Sequence, residues 1–281
     1  MKRRLKSLLM RMLALGDTYP TQLTDKSAIQ SLMDRLSPLS SARKLIRLGP
    51  AADGGYLLPD DLDGIEACFS PGVSYLSGFE KECAQRGMKV FLADRSVEQP
   101  AESHPLFHFT RKHVGVTTNA DFMTMDDWVH SSLPGSQADL LLQIDVEGYE
   151  YETFLGISDA LARRFRIIAA EFHELDQLWN QPFFRLAARA FDKILQTHSC
   201  VHIHPNNCAG TLMKDGLMIP STAEFTFLRN DRIVAPSYAS EFPHPLDRDN
   251  CDGRQLRLAK CWHRLESIGP SGEDPRVDRR F

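Results

Sequence analysis

Acidic and imidazole side chains follow two apolar runs of the sequence, at positions where they could bind a cation together. Residues 141–150, LLQIDVEGYE, pass from an apolar run directly into Asp145, and a second apolar run ends in Glu171 and His173. Neighbouring strands of a sheet lie about 4.8 Å apart, so side chains at their ends can meet. Carboxylates that meet without a cation repel each other. We therefore expect these three side chains to bind a divalent cation, and such ligands favour Mg²⁺ or Mn²⁺ over a structural zinc.

The elements that would position these side chains are short apolar runs alternating with amphipathic segments. This alternation is typical of a mostly parallel sheet with crossover helices. The last two runs have no room for a helix between them, so we expect an antiparallel pair. Two helix starts are predicted from capping residues: a capping box at Ser77 and Glu80, and a cap at Thr124. His202, in one of the predicted strands, is expected to contribute packing. The predicted strands are 65–70, 89–94, 106–109, 140–145, 167–171, 200–204 and 224–229.

Two of these strand ends predict a nucleotide-like cofactor. Ligands of open α/β sheets bind beyond the carboxyl ends of the strands. The first strand ends at Ser70, and Gly72 would let the backbone approach a ligand there. The second strand ends in Asp94, which is placed to accept hydrogen bonds from a ribose. The dinucleotide motif G-x-G-x-x-G is absent, since only Gly72 and Gly78 stand in this region. The pattern therefore favours S-adenosylmethionine over NAD.

Several segments, in chain order, resemble the FkbM-type methyltransferases and their relatives. They are GPAADGGYLLPDDL, FSPGVSYLSGFEKECAQRG, the strand that ends in ADR, LLQIDVEGYEYETFLGI, AAEFHEL, HIHPNNC and AEFTFLRND. The resemblance covers residues 48–231 and implies an α/β, Rossmann-like, seven-stranded class I methyltransferase fold with an antiparallel last strand. It also implies S-adenosylmethionine as methyl donor and a hydroxyl acceptor on a sugar, a polysaccharide or a related natural product.

One departure from the common methyltransferase pattern concerns the glycine motif. This chain has Ser70 and a proline before Gly72, where the motif has an acid. The methionine ammonium group is then expected to depend on another acid, and Asp53 of the segment DGGY is our candidate. The remaining residues of that segment are assigned to the same cofactor site: they are Gly54, Gly55 and Tyr56. A tight turn is the alternative role for the segment.

An aliphatic hydroxyl attacks poorly until a base removes its proton or a metal lowers its pKa. We therefore assign catalysis to Asp145, His173 and His204, with His204 as a proton acceptor beside the cation. In the alternative, one histidine acts alone as general base and the acids serve as caps. Glu147 and Glu150 fit either role, because acids also stabilise the start of the following helix.

We divide the chain into three parts. Residues 1–47 are expected to form an N-terminal helical segment, residues 48–235 the methyltransferase domain, and residues 236–281 an extension with a helix and a disordered tail. The start, MKRRLKSLLMRM, lacks a cleavage site and is too short to span a bilayer. Its basic and apolar residues could contact an anionic membrane surface, although packing on the domain is the preferred reading.

Charge and cysteine usage limit the partners and the compartment. The net charge of −4 favours a small-molecule or glycan acceptor and no nucleic acid. Six cysteines without a C-x-x-C pair predict reduced thiols and a cytoplasmic protein, at most at the inner face of the membrane. Two other functions remain open: a metal-dependent hydrolase and an inactive cofactor-binding module. The sequence predicts no oligomeric state.

Overall fold

The computed structural model describes residues 20–73 and 76–264, together with Met10 and Leu13. The N-terminal basic segment, apart from those two residues, and the predicted tail lie outside the described residues.

A single seven-stranded sheet forms the centre of the protein. Its order is β3-β2-β1-β4-β5-β7-β6, with β7 antiparallel to both neighbours and β1 to β5 mutually parallel. This confirms the predicted Rossmann-like seven-stranded fold, and each predicted strand overlaps an observed one. The strands are β1 Ala67–Pro71, β2 Lys89–Ala93, β3 Phe107–Thr110, β4 Leu140–Ile144, β5 Phe165–Phe172, β6 His198–Pro205 and β7 Ala223–Arg229.

The central strands read as continuous apolar runs because both of their faces are covered. Every residue of β1, β4 and β5 is buried, as expected for parallel strands between two layers. One hydrophobic cluster includes Phe69 and Leu142, and the other includes Cys68 and Leu141. The order of strands reverses between β1 and β4, and such a switch point is where open α/β sheets bind ligands.

Helices and 3₁₀ turns surround the sheet, and none of the described helices is long and apolar enough to cross a membrane. Thr124 caps its helix as predicted, by accepting a hydrogen bond from the N–H of Asp127. The helices are α1 Lys26–Arg35, α2 Gly78–Gln85, α3 Met125–Ser132, α4 Glu150–Gly156, α5 Asp159–Ala162 and α6 Gln181–Leu195, and the 3₁₀ turns are Leu175–Trp179, Asn230–Arg232 and Lys260–Trp262.

The predicted capping box at α2 is wrong. Ser77 makes no side-chain cap hydrogen bond. Glu80 is buried and turns toward the sheet, where it accepts a hydrogen bond of 2.7 Å from the hydroxyl of Ser70. The tertiary partner on β1 thus replaces the local one that the spacing suggested.

Short strand pairs lie around the central sheet. In residues 236–264, the described part of the C-terminal extension, the backbone forms one short strand and one 3₁₀ turn, and no α-helix. Trp262 of that turn is buried in the main core, so the extension packs against the domain. The pairs are Leu39–Ser40 with Ser237–Tyr238, Leu45–Leu48 with Tyr56–Pro59, His113–Gly115 with Phe122–Thr124, and Thr211–Lys214 with Leu217–Pro220.

A disulfide joins the extension to the domain. Cys208 and Cys251 are bonded through their Sγ atoms, with Cα atoms 5.9 Å apart. The expectation of reduced thiols is therefore wrong for this pair. The two residues stand 43 positions apart and belong to no short motif, so only the fold brings them together.

Candidate active site

Gly72 and Asp145 fix the backbone at the switch point between β1 and β4. Gly72 has φ +93°, and a Cβ there would lie 1.5 Å from the carbonyl oxygen of Asp145. The N–H of Asp145 also donates to the carbonyl of Pro71 at 3.2 Å. The sequence predicted a close approach of Gly72 to a ligand, but the close approach that excludes a side chain is to the neighbouring strand end. Gly72 therefore sets the position of Asp145.

The predicted convergence of Asp145, Glu171 and His173 is present. One potential ligand atom from each side chain lies within 4.8 Å of the other two. The three residues meet because Asp145 follows β4, Glu171 is the penultimate residue of the adjacent β5, and His173 follows β5. Asp145 Oδ1 is buried and has no hydrogen-bond partner among the described residues. A buried polar atom of this kind calls for a ligand or a water molecule. Binding of a cation stays a prediction.

The ring of His173 is oriented by Glu150, the fully buried first residue of α4. His173 Nδ1 lies 3.1 Å from Glu150 Oε1. The same carboxylate oxygen accepts hydrogen bonds from two N–H groups of the loop 146–148. His173 Nε2 then faces Glu147 Oε2 at 3.4 Å and Asp145 Oδ1 at 3.9 Å. Glu150 thus holds both the loop and the imidazole.

Burial and mutual charge shift the titration of this cluster. Burial raises the pKa of Asp145 well above its usual value, and the charge of Glu171 raises it further. Burial likewise raises the pKa of Glu171. Burial lowers the pKa of His173, but the hydrogen bond to Glu150 and the nearby carboxylates outweigh burial and raise that pKa to about 9. An imidazolium has no free lone pair, so His173 must lose a proton before it can act as a general base or bind a cation.

A cavity of about 290 Å³ opens at the ends of β1, β2 and β4, and we refer to it as the donor cavity. Gly72 and Asp94 line it, as does the apolar surface of Val114 and Phe122. The carboxylate of Asp94 accepts hydrogen bonds from the N–H of Val73 at 3.1 Å and from the N–H of Ser96 at 2.6 Å. Asp94 therefore stabilises its strand end and lines the cavity at once.

The other residues predicted to bind the cofactor do not line the donor cavity. Ser70 is fully buried, and its Oγ lies 2.7 Å from Glu80 Oε1 and 2.6 Å from Gln143 Oε1. The Tyr56 hydroxyl accepts a hydrogen bond from Gln143. Asp53 and Gly54 form a turn, and a Cβ on the following Gly55 would lie 2.1 Å from the carbonyl oxygen of Pro50. The segment DGGY thus forms a turn, which was the alternative role given for it.

A second, more polar cavity of about 630 Å³ lies beside the donor cavity, and we refer to it as the polar cavity. Its lining includes His173, Glu174, Asn180 and Ser221. Glu147 lines both cavities. Asp145 lines the donor cavity and His173 the polar cavity, so the acid and imidazole cluster stands where the two cavities meet.

His204 lies apart from this cluster. It is the register partner of Glu224 on β7, and Glu224 is the register partner of Glu171 on β5. Two strand spacings therefore separate His204 from Glu171, about 10 Å. His204 lines neither cavity. Its predicted role as a proton acceptor beside the cation would require Glu224 as an intermediary.

Residues of the C-terminal extension complete the surroundings of His204. Asp247 Oδ1 lies 2.8 Å from His202 Nε2 and 3.7 Å from His204 Nδ1. Burial acts to raise the pKa of Asp247, but the two imidazoles outweigh it and lower that pKa. The expectation that His202 contributes packing is wrong, because its Nε2 contacts Asp247. His202 and His204 reach the same carboxylate because residues two apart in a strand share a face.

Glu224 and Asp53 are linked by the side chain of Asn250. The Asn250 Nδ2 group donates to Glu224 Oε1 at 2.7 Å and to Asp53 Oδ1 at 3.1 Å. Burial raises the pKa of Glu224 to about 8, against the opposing charge of His204. Asp53 thus belongs to this network. No motif in the extension marks Asp247 or Asn250 as site residues, and sequence reasoning missed both.

The strand order, the antiparallel β7 and a cavity at the switch point define a Rossmann-like methyltransferase architecture. The family model of the methyltransferase FkbM domain matches residues 78–200 of the chain. This match confirms the predicted resemblance and supports a methyltransferase, and the family implies the use of S-adenosylmethionine as methyl donor. No curated protein matches the chain. The matched range contains Asp94, Asp145, Glu171 and His173, whereas the extension lies beyond it.

Proposed function

We propose that the protein transfers a methyl group from S-adenosylmethionine to a hydroxyl of a sugar, a polysaccharide or a related natural product. A divalent cation, Mg²⁺ or Mn²⁺, bound by Asp145, Glu171 and His173 assists the reaction. The observation that carries the proposal is the meeting of the two cavities at Glu147, with Asp145 lining one and His173 the other.

The donor cavity offers groups that suit both the ribose and the base of an adenosine. Asp94 would accept hydrogen bonds from ribose hydroxyls, and Val114 and Phe122 offer apolar surface for the base. S-adenosylmethionine supplies a methyl group on a positively charged sulfur. The carboxylates of Asp145 and Glu147 in the same cavity favour such a charge.

The cation site is supported by the second layer of contacts around His173. Histidine ligands of metals usually donate their other N–H group to a carboxylate, which fixes the ring. Glu150 holds Nδ1 in this way and leaves Nε2 facing Asp145. A cation here would lower the pKa of a bound hydroxyl and remove the repulsion between Asp145 and Glu171.

The polar cavity suits an acceptor that carries several hydroxyl groups. Its lining offers carboxylate, amide and hydroxyl groups from Glu174, Asp176, Asn180 and Ser221, which can hydrogen-bond a polyol. Transfer in line with the sulfur needs the acceptor oxygen held close and aligned, and positioning alone can supply much of the acceleration. The cluster between the cavities is placed for that purpose.

The test is methyl transfer by the purified protein from labelled S-adenosylmethionine to a panel of glycans and sugar nucleotides. We expect label in an O-methyl sugar, with transfer abolished by EDTA and by Glu171→Gln. The exposed Glu152 on α4 provides the matched control, so Glu152→Gln should retain activity. Donor binding, measured by calorimetry, should survive both EDTA and Glu171→Gln.

Four results would contradict the proposal. Label in protein amines or nucleic acid alone would exclude the acceptor class. Phosphate-ester turnover without a methyl donor would indicate a hydrolase. Donor binding without transfer to any member of the panel would indicate a binding module. Full transfer after EDTA treatment, with no metal found by elemental analysis, would exclude the cation.

A further inference from the structure

Five residues of the C-terminal extension contact the buried Glu224, together with Asp53 and the two histidines of β6. We refer to these residues, 247–251, as the clasp segment. The segment lies beyond the matched FkbM domain. It begins at Asp247, which contacts His202 and His204, and it ends at Cys251, which is bonded to Cys208. The clasp segment thus joins the end of β6 to the extension at two points.

The disulfide is two hydrogen bonds away from Glu171. The N–H of Cys208 donates to Asn206 Oδ1 at 2.8 Å. The Nδ2 group of Asn206 donates in turn to Glu171 Oε1 at 2.8 Å. Asn206 and Glu171 are both buried, so Asn206 determines where this carboxylate points. The position of Cys208 therefore reaches a residue of the proposed cation site.

The other half of the disulfide seats Asn250. Asn207 Oδ1 accepts hydrogen bonds from the N–H groups of Asn250 at 2.9 Å and Cys251 at 3.1 Å. Asn207 Nδ2 donates to the Cys251 carbonyl at 2.9 Å. Asn250, held in this way, bonds Glu224 and Asp53. Both asparagines that orient the buried acids therefore depend on the backbone next to the disulfide.

The two cysteine residues are exposed, although the groups that they hold in place are buried. Cys208 and Cys251 are exposed, whereas Glu171, Glu224 and Asn250 are buried. A dithiol can reach an exposed disulfide and reduce it. The clasp segment is held by polar contacts and by the disulfide, and it contributes no residue to the hydrophobic clusters. Loss of the covalent bond would leave the hydrogen bonds to Asn207 and the contacts of Asp247 with the two histidines.

We propose that the Cys208–Cys251 disulfide is a redox-sensitive fastening of the active site. A dithiol reductant breaks the S–S bond: its two thiols become a disulfide, and the two cysteine sulfurs gain two electrons and two protons. The clasp segment is then released and Asn250 loses its fixed backbone. The turn in which Asn206 Oδ1 accepts from the N–H of Cys208 is no longer held by the bond to Cys251, and the Asp145, Glu171 and His173 cluster binds a cation less tightly. This inference rests on the proposed cation site.

The expected size of the effect follows from the contacts. Loss of outer contacts to metal ligands typically lowers metal affinity about 10–100-fold. We expect a decrease in that range for Mn²⁺ on reduction. Binding of S-adenosylmethionine should stay unchanged, because no residue of the clasp segment lines the donor cavity.

The experiment uses the full chain in two forms: oxidised, and reduced with dithiothreitol that is then removed under nitrogen. Alkylation and mass spectrometry verify the state of Cys208 and Cys251. Calorimetry measures the affinities for Mn²⁺ and for S-adenosylmethionine. Trypsin cleavage after the exposed Arg248 measures release of the clasp segment, and cleavage should be faster in the reduced form. Reoxidation should restore the Mn²⁺ affinity, which separates release of the segment from irreversible unfolding.

Variants provide the matched controls. The double variant Cys208→Ser, Cys251→Ser should bind Mn²⁺ as the reduced protein does and should not respond to dithiothreitol. Cys261→Ser, at a half-buried cysteine outside the disulfide, should respond as the wild type does.

The outcomes separate this inference from the proposed function. Equal Mn²⁺ affinity in the oxidised and reduced forms would overturn the inference and leave the cation site intact. An oxidised form that does not bind Mn²⁺ would overturn the cation site and this inference with it. Failure of the two cysteines to form a disulfide under oxidising conditions, or parallel loss of donor binding on reduction, would also overturn the inference.

Discussion

Replacement of Gly72 by alanine tests how the fold positions Asp145. The added Cβ would lie 1.5 Å from the carbonyl oxygen and 2.6 Å from the carbonyl carbon of Asp145. Both groups are backbone at the ends of packed strands, so no side chain can rotate away. The two strand ends must separate by roughly 2 Å before the atoms reach ordinary van der Waals contact. Gly72→Ala should therefore destabilise the protein and displace Asp145 together.

The magnitude has two parts. A residue with a Cβ at positive φ costs roughly 1–2 kcal/mol, and Gly72 has φ +93°. Overpacking of a well-packed region adds about 1–3 kcal/mol. The total loss in the free energy of unfolding should thus be roughly 2–5 kcal/mol. A displacement of reacting groups by about 1 Å can lower the rate about 100-fold, so methyl transfer should fall by at least that factor.

Gly87→Ala is the matched control. Gly87 has φ +87°, and a Cβ there would meet no heavy atom within 4 Å. This variant should lose only the backbone part, about 1–2 kcal/mol, and should keep full activity. Denaturant unfolding measures the stability of both variants, and a methyl-transfer assay with labelled donor measures their rates. Equal stability of the two variants, with normal transfer by Gly72→Ala, would refute the argument.

Three further predictions follow from single contacts. Asp94→Ala should weaken binding of S-adenosylmethionine by roughly 1–3 kcal/mol in calorimetry, whereas Asp121→Ala, outside the donor cavity, should not. Glu150→Gln should lower the affinity for Mn²⁺ about 10–100-fold, with Glu152→Gln as the unaffected control. Burial lowers the pKa of His198 from 6.5 to about 4, so the unfolded chain binds more protons between these values. The buried neutral His198 therefore contributes fully to stability above the unfolded pKa, and this contribution is lost as pH falls. The free energy of unfolding should decrease by about 2 kcal/mol between about pH 7.5 and about pH 5. The stability of His198→Gln, measured by denaturant unfolding, should lack this component, and an unchanged pH dependence would contradict the assignment.

The strands of the sheet could be predicted from the sequence because strands that are buried on both faces consist of continuous apolar runs. The run that forms β4, for example, is followed at once by Asp145, and this change from apolar to acidic marks the end of the strand. The convergence of Asp145 with Glu171 and His173 follows from the adjacency of parallel strands. It required no knowledge of the loops.

Contacts between distant segments could not be predicted in this way. Glu80 has the spacing of a capping residue, but Ser70 of β1 offers it a buried hydrogen bond that the local pattern does not contain. Asn250 reaches Asp53 across 197 positions of the chain. Residues 247–251, which include Asn250, contribute nothing to the hydrophobic clusters, and they are held by polar contacts and a disulfide. A single sequence contains no pattern that marks such polar contacts or such a disulfide.

The row of acids across the sheet connects the stability of the fold with its function. Glu171 and Glu224 face each other on adjacent strands, and Asp145 follows the next strand. Burial raises the pKa of each of the three, which means that the charged forms are destabilised where they stand. Hydrophobic residues of similar volume at such positions often leave a protein as stable or make it more stable. The arrangement is therefore not explained by the requirements of the fold, but it is explained if the site must bind a cation and an acceptor hydroxyl at Asp145, Glu171 and His173.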